Sequence, residues 1–154
     1  MAHMYFISVV LLLLVFPALS VLAEALHVPG SDVMWLIGKW FVFWGCGVRL
    51  FIAGLMQTFK PEFTAKSIFD IDAPAAHAIV REVGFGNLAI GTLSLASLAI
   101  PEWVVPAAVV GGLFYSLAGV GHAFRKGNFK EQVALWSDLA IFVVLAVFVA
   151  SRLM

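Results

Sequence analysis

The residue best able to do chemistry in this chain is an arginine where a bilayer would be driest. Arg49 lies in an apolar run over about 34–59, ten residues before Phe59 and so about 15 Å from that end of a helix. A charge inside such a run is costly and marks a site or a structural partner. Asp138 follows Glu131 by seven residues, about 10 Å in from the same face, and Asn87 follows Glu82 by five, about 8 Å in. Gln57 and His122 close their own runs at that level, and Tyr115 lies two turns deeper than His122. Arg49, Gln57, Glu82, Asn87, Tyr115, His122 and Asp138 thus come from four segments and converge on one half of the membrane thickness. An unpaired guanidinium there would cost several kcal/mol, so Arg49 requires an acceptor. Asp138 matches its depth best. Glu82 is the second choice, because an arginine side chain can reach toward the interface. Two chemistries fit: a buried ion pair that fixes helix register, and a polar pocket for an anion, a lipid headgroup or a quinone ring. A proton or ion path needs polar groups through the full thickness, and the other half has almost none.

Other chemistry finds little support. No Ser-His-Asp set, Cys-His pair or metal-spaced carboxylate cluster is visible, so no catalytic residue and no metal ligand is assigned. The run Gly84-Phe85-Gly86-Asn87-Leu88-Ala89 matches a nucleotide-binding glycine pattern, but no strand precedes it. A haem would need two histidines at one depth, and His77 sits outside the apolar core while His122 closes a span. No cofactor is fixed by these residues; a quinone is compatible with them.

The elements that must position the cluster are helices. Of the 154 residues, 63% are hydrophobic and 12% charged. Mean hydropathy is +1.06. Soluble domains are nearer half apolar and a quarter charged. Apolar runs over about 5–26, 34–59, 82–100, 103–123 and 132–152 each approach the ~20 residues that span a ~30 Å hydrocarbon core. The fold class is therefore all-α: one polytopic membrane domain of five transmembrane helices, the last four forming a four-helix bundle. The first run has no Lys or Arg before it, so it reads as an uncleaved span. Cys46 is the single cysteine, which excludes an intrachain disulfide, and it packs as a small apolar residue in span two.

Connections follow from punctuation. Pro29-Gly30 turns the chain, with Ser31 or Asp32 as the cap of the second span, and Pro61 ends that span. The amphipathic segment at about 62–80 reads as a short helix in the headgroup layer, then a cap at Asp72 before Pro74 and a long helix over 75–98. Gly127-Asn128 turns into span five. Gly91 in span three, and Ala108, Gly112, Ser116 and Gly119 in span four, form small-residue stripes that let helices approach closely, within the bundle or between subunits.

Lys60, Lys66 and Arg81 lie between spans two and three, and Arg125, Lys126 and Lys130 between spans four and five. The opposite connections carry Glu24, Asp32 and Glu102, with Arg152 the dissenter. The positive-inside rule then puts the N-terminus in the cytoplasm and the C-terminus outside. Zero net charge gives no case for a nucleic-acid partner. The expected partners are the lipid bilayer and either a larger membrane complex or a second copy of the chain.

The stretch Trp44-Gly45, Val48-Arg49-Leu50-Phe51-Ile52-Ala53-Gly54, Gln57, Lys60-Pro61, then Arg81-Glu82-Val83-Gly84-Phe85-Gly86-Asn87-Leu88 and Gly91 resembles the DoxX-like small bacterial membrane proteins. It is closer still to an uncharacterised domain-of-unknown-function family of the same size. The DoxX-like resemblance implies a four-helix bundle and, by analogy, links to respiratory or thiol-redox complexes and quinone chemistry. The additional first span and the lack of redox cysteines depart from that pattern. The leading expectation is a non-enzymatic accessory subunit or a binder of a lipid-like ligand. A quinone-linked redox or thiol-stress component is the alternative, and a small transporter or channel the second.

Overall fold

The computed structural model describes residues 2–124 and 129–154. Six helices lie among the described residues: α1 (His3–His27), α2 (Val33–Phe59), α3 (Pro61–Ser67), α4 (Ala76–Ala96), α5 (Pro101–Ala123) and α6 (Phe129–Leu153). No strand is present among those residues. The expected turn at Gly127-Asn128, and Arg125 and Lys126, lie outside them.

Four of the helices, α1, α2, α5 and α6, are long and apolar enough to cross a membrane. The third expected span is α4, a helix of 21 residues that does not join those four. Arg81, Glu82 and Asn87 interrupt its apolar run. Large apolar side chains such as Leu14, Leu117, Trp136 and Val143 point outward, as they do on a surface that lipid covers.

Local sequence explains the breaks. Gly30 takes φ +80, a left-handed backbone that glycine adopts without strain, and so turns α1 into α2. Asp32 caps α2, its Oδ1 accepting from the amides of Met34 at 2.9 Å and Trp35 at 3.1 Å. Pro61 cannot donate to the α2 ladder and instead opens α3. The chain leaves α3 through Asp70, and the Ile71 amide returns to the Ala65 carbonyl at 2.9 Å. Asp72 does not cap the next helix; its carboxylate pairs with Lys66 at 2.7 Å, and α4 begins without a side-chain cap. Pro17 within α1 would press on the carbonyl four residues back. The preceding turn widens there into a π-helical stretch, Leu11–Val15. A second such stretch, Val42–Val48, carries Gly45 and Gly47 just before Arg49.

The core is a seam of α2, α5 and α6 with α1 against it. Val42, Cys46, Val104, Ala107, Tyr115, Leu145 and Phe148 are buried, and Val9 and Leu13 of α1 join them. The expected bundle of the last four helices is therefore incomplete, because the first helix is part of the packing. α4 lies along α2 through glycines: a Cβ on Gly91 would meet the Phe51 backbone nitrogen at 2.7 Å, and one on Gly54 the Gly84 carbonyl at 2.8 Å. On α5, Ala108 and Gly112 are buried, with Gly112 facing Leu145, and Gly119 faces Leu139 of α6. Ser116 turns away from that stripe and bonds the Leu113 carbonyl within its own helix.

Two ion pairs tie the end of the molecule that holds the α1–α2 turn. Lys39 donates to both Glu24 oxygens at 2.8 Å. Arg152 donates to Asp32 Oδ2 at 2.7 Å, joining the end of α6 to the start of α2. That hydrogen bond, with the α2 amides, holds the Asp32 carboxyl below its ordinary 3.8. A depressed carboxylate contributes stability that is fully present above the unfolded value and is lost as pH falls through the folded one. The melting temperature of the wild type should therefore exceed that of Asp32→Asn at neutral pH. The gap should persist through the usual carboxylate range and close only below it, in a thermal-shift series against pH.

Candidate functional site

The central ion pair joins two helices. Arg49 on α2 donates from both terminal nitrogens to Asp138 Oδ1 on α6, each at 3.1 Å, and from one of them to Ser137 Oγ at 3.2 Å. The Arg49 side chain is 14% exposed and that of Asp138 7%, so both charges are largely withdrawn from solvent and each depends on the other. The guanidinium carbon lies 5.3 Å from the centre of the Tyr115 ring, a cation–π distance. Tyr115 in turn donates its hydroxyl to the Gly45 carbonyl. The π-helical stretch explains that acceptor: the Arg49 amide bonds Trp44 five residues back, rather than Gly45 four residues back. Such widened turns recur at functional sites.

Above this group opens a cavity of about 890 Å³, within the size range of small-molecule sites. Arg49, Tyr115 and Asp138 stand at its deep end, and Gln57, Asn87 and His122 nearer the end of α2. Between them the walls are apolar: Leu12 of α1, Ala53 and Met56 of α2, Phe114 and Ala118 of α5. Asn87 Nδ2 donates to Gln57 Oε1 at 2.7 Å across the glycine seam. His122 contacts Glu131 Oε1 at 3.2 Å and stacks on Phe69, ring centroids 6.2 Å apart.

Six of the seven expected polar residues therefore border one cavity. Glu82 does not: its side chain is exposed on another face of α4, so it is no alternative partner for Arg49. His77 also lies away from the cavity, and with it goes the pairing of histidines a haem would need. Among the described residues no group of three His, Cys, Asp or Glu is placed to hold a metal ion.

Several lining residues escaped the sequence reading. Tyr5 and Ser8 bring α1 to the wall, with Tyr5 in the electrostatic field of Arg49. Phe63, Thr64, Ile68 and Phe69 from α3 and its exit line the cavity near the end of α2; the segment expected to lie in the headgroup layer thus also borders the cavity. Glu131 is buried behind His122. Its signal was present, since 131, 134, 138, 141, 145 and 148 form a heptad seam of buried positions on α6.

The model of a family of unknown function, DUF6790, matches residues 3–153. The chain belongs to DUF6790. The match takes in all six helices of this DUF6790 chain, so the ion pair and the cavity both lie within the family region. It carries no link to DoxX-like proteins. Neither the curated proteins nor the solved structures give a match.

Proposed function

We propose that this protein is a membrane-embedded binder of an amphipathic, lipid-like ligand, held in the cavity between α1, α2, α4, α5 and α6. The observation that carries this reading is a single cavity that combines apolar walls with the chain's intramembrane polar side chains. It is non-enzymatic in this reading, acting alone or as the ligand-bearing subunit of a larger complex or homo-oligomer.

The reading includes five membrane crossings, α4 being the fifth. Parity supports this. Asp32 at the start of α2 and Arg152 at the end of α6 share one end of the molecule. With α2, α5 and α6 alone, three crossings would leave them on opposite faces. A crossing by α4 restores them to the same face. The N-terminus and the cavity mouth then share the side of Lys60, Lys66, Arg81 and Lys130, which the positive-inside rule assigns to the cytoplasm; the membrane in this reading is a bacterial inner membrane.

The alternative, a quinone-linked redox component as in DoxX-like proteins, would use the same cluster for a quinone ring. A transporter is disfavoured by packing: beyond Arg49 the interior is filled by Val42, Cys46, Leu145 and Phe148, each 0% exposed.

Native mass spectrometry on protein released gently with its lipids tests the reading. The wild type should retain one amphipathic molecule, and Ala118→Phe, which projects a ring into the apolar middle of the cavity, should retain less of it. Equal lipid distributions in both would overturn the proposal. A retained mass with quinone absorbance would favour the redox alternative.

A further inference from the structure

We infer that the cavity takes an amphiphile with a neutral hydroxyl or amide head, which donates to Asp138 Oδ2 at the deep end, while its tail leaves between α1 and α4 toward lipid. The inference rests on the ligand-binding reading above and names the head-group class for that site.

Asp138 is 5% exposed and borders the cavity. Among the described residues, its carboxylate accepts only through Oδ1: from both terminal nitrogens of Arg49 at 3.1 Å, and from Ser137 Oγ at 3.5 Å. Oδ2 accepts from none of them, yet it is not one of the sealed polar atoms without a partner. It keeps surface, and the open space beside Asp138 is the cavity. A carboxylate oxygen has room for two donors. One that meets none in an apolar interior is costly. A ligand donor would complete it, with the strength of a hydrogen bond to a charged acceptor.

The charges at that depth decide what kind of donor fits. Arg49 and Asp138 are in contact and sum to zero. Lys130 lies eight residues before Asp138, about 12 Å away along α6, and has no part in the balance. An ammonium head would find Oδ2, but with the guanidinium beside it. A carboxylate head would find the guanidinium, but with Oδ2 beside it. Either would give up its water for a pair of no net charge, which does not repay the loss. A hydroxyl or an amide has far less hydration to lose and still carries a hydrogen for Oδ2. An ether has no hydrogen to give.

The tail has an outlet close by. α1 packs on α2 and α6, and α4 packs on α2 and α5. Met4 of α1, Ile52 of α2 and Val83 of α4 all line the cavity, yet Ile52 is 49% and Val83 43% exposed, and Met4 more so. Exposed apolar side chains on membrane-spanning helices face lipid, so the cavity opens to lipid along this side. Ile52 follows Arg49 by three residues, about 5 Å along α2. An alkyl chain whose head sits at Asp138 therefore runs along Leu12 and Ala53 and reaches the bilayer within about one helical turn of Arg49.

The test is a native mass spectrometry titration of delipidated, detergent-purified protein with ligands of one chain length: hexadecanol, palmitamide, hexadecyl methyl ether, palmitate and hexadecylamine. Hexadecanol or palmitamide should bind about tenfold tighter than the ether, which accepts but cannot donate. The tighter of the two names the head. In Asp138→Asn the guanidinium holds the side-chain oxygen, so the amide nitrogen takes the place of Oδ2 and offers a donor there. The ether should then gain, and the ratio should fall to near unity; a role of Asp138 in packing alone would not move it. If Asp138→Asn does not fold, infrared difference spectra of the wild type with carbon-13-labelled aspartate decide. Hexadecanol or palmitamide should shift a carboxylate band that the ether leaves in place. Equal binding of the donors and the ether, an unmoved ratio in the variant, an unshifted band, or tighter binding of palmitate or hexadecylamine overturns the head assignment and leaves the lipid-binding reading standing. If none of the ligands is retained one-to-one, both fall.

Discussion

Arg49→Leu is expected to lower the stability of the protein by about 3–5 kcal/mol, the cost of leaving one member of a buried pair without the other. Asp138, buried on α6, would have its carboxylate deprived of both guanidinium bonds. Asp138→Leu should cost at least as much, because a guanidinium cannot shed its charge. The double variant Arg49→Leu, Asp138→Leu should recover most of the loss, since a buried ion pair is often replaceable by apolar side chains of similar size. Unfolding midpoints in mixed micelles measure all three. If the double variant is no better than the singles, the ion pair is not what holds α2 to α6. The contact of Arg49 with Tyr115 and the Tyr115 bond to Gly45 would then be what fixes Arg49 in the core.

The same series separates architecture from function. A pair kept only for helix register would leave ligand retention intact in the double variant. The surroundings argue for more than register. Three features meet at the deep end of the cavity: a widened helical turn, a tyrosine held on the carbonyl beside it, and an ion pair at the margin of an open volume. A stable double variant that no longer retains its amphiphile would assign the pair to binding.

Sequence patterning went far with the elements and less far with the site. Apolar runs of about twenty residues mark helices wherever they occur, and α1, α2, α5 and α6 follow from that alone. α4 was legible as a helix, but its charges leave its place in a membrane to be argued from topology. Depth sets Arg49, Asp138, Tyr115 and Asn87 in one half of the membrane thickness, because rise per residue is fixed. Depth does not say which face a side chain takes. Glu82 and Asn87 are five residues apart, roughly 140° around a helix of 3.6 residues per turn. Asn87 faces the seam, so Glu82 cannot share it. Phe63, Ile68 and Phe69 were legible as the apolar face of a short segment, but a one-dimensional pattern does not say that this face also borders a cavity. Tyr5 and Ser8 fall within the first apolar run, but sequence alone does not say that this face of α1 meets the cavity.

The glycine seam between α2 and α4 supports the second large prediction. Gly91→Val should destabilise the protein by about 1–3 kcal/mol or more, the range for forcing additional carbons into a packed interface. A Cβ there would lie 2.7 Å from the Phe51 amide nitrogen and 2.9 Å from its Cα. These are backbone atoms in mid-helix, which cannot swing aside as a side chain can. The helices would have to separate, and with them Gly54 from Gly84 and Asn87 from Gln57. Gly86→Val is the control, because a Cβ at Gly86 meets nothing within 4 Å while the change in helix propensity is the same. It should be near neutral. Thermal unfolding of both variants in one detergent gives the difference, and equal melting temperatures would refute the seam. Since α4 is joined to the bundle chiefly along α2, loss of the seam would also open the cavity wall at Val83 and Asn87. On the proposed ligand-binding reading, Gly91→Val should therefore lose amphiphile retention even under conditions where it remains folded, whereas Gly86→Val should keep it.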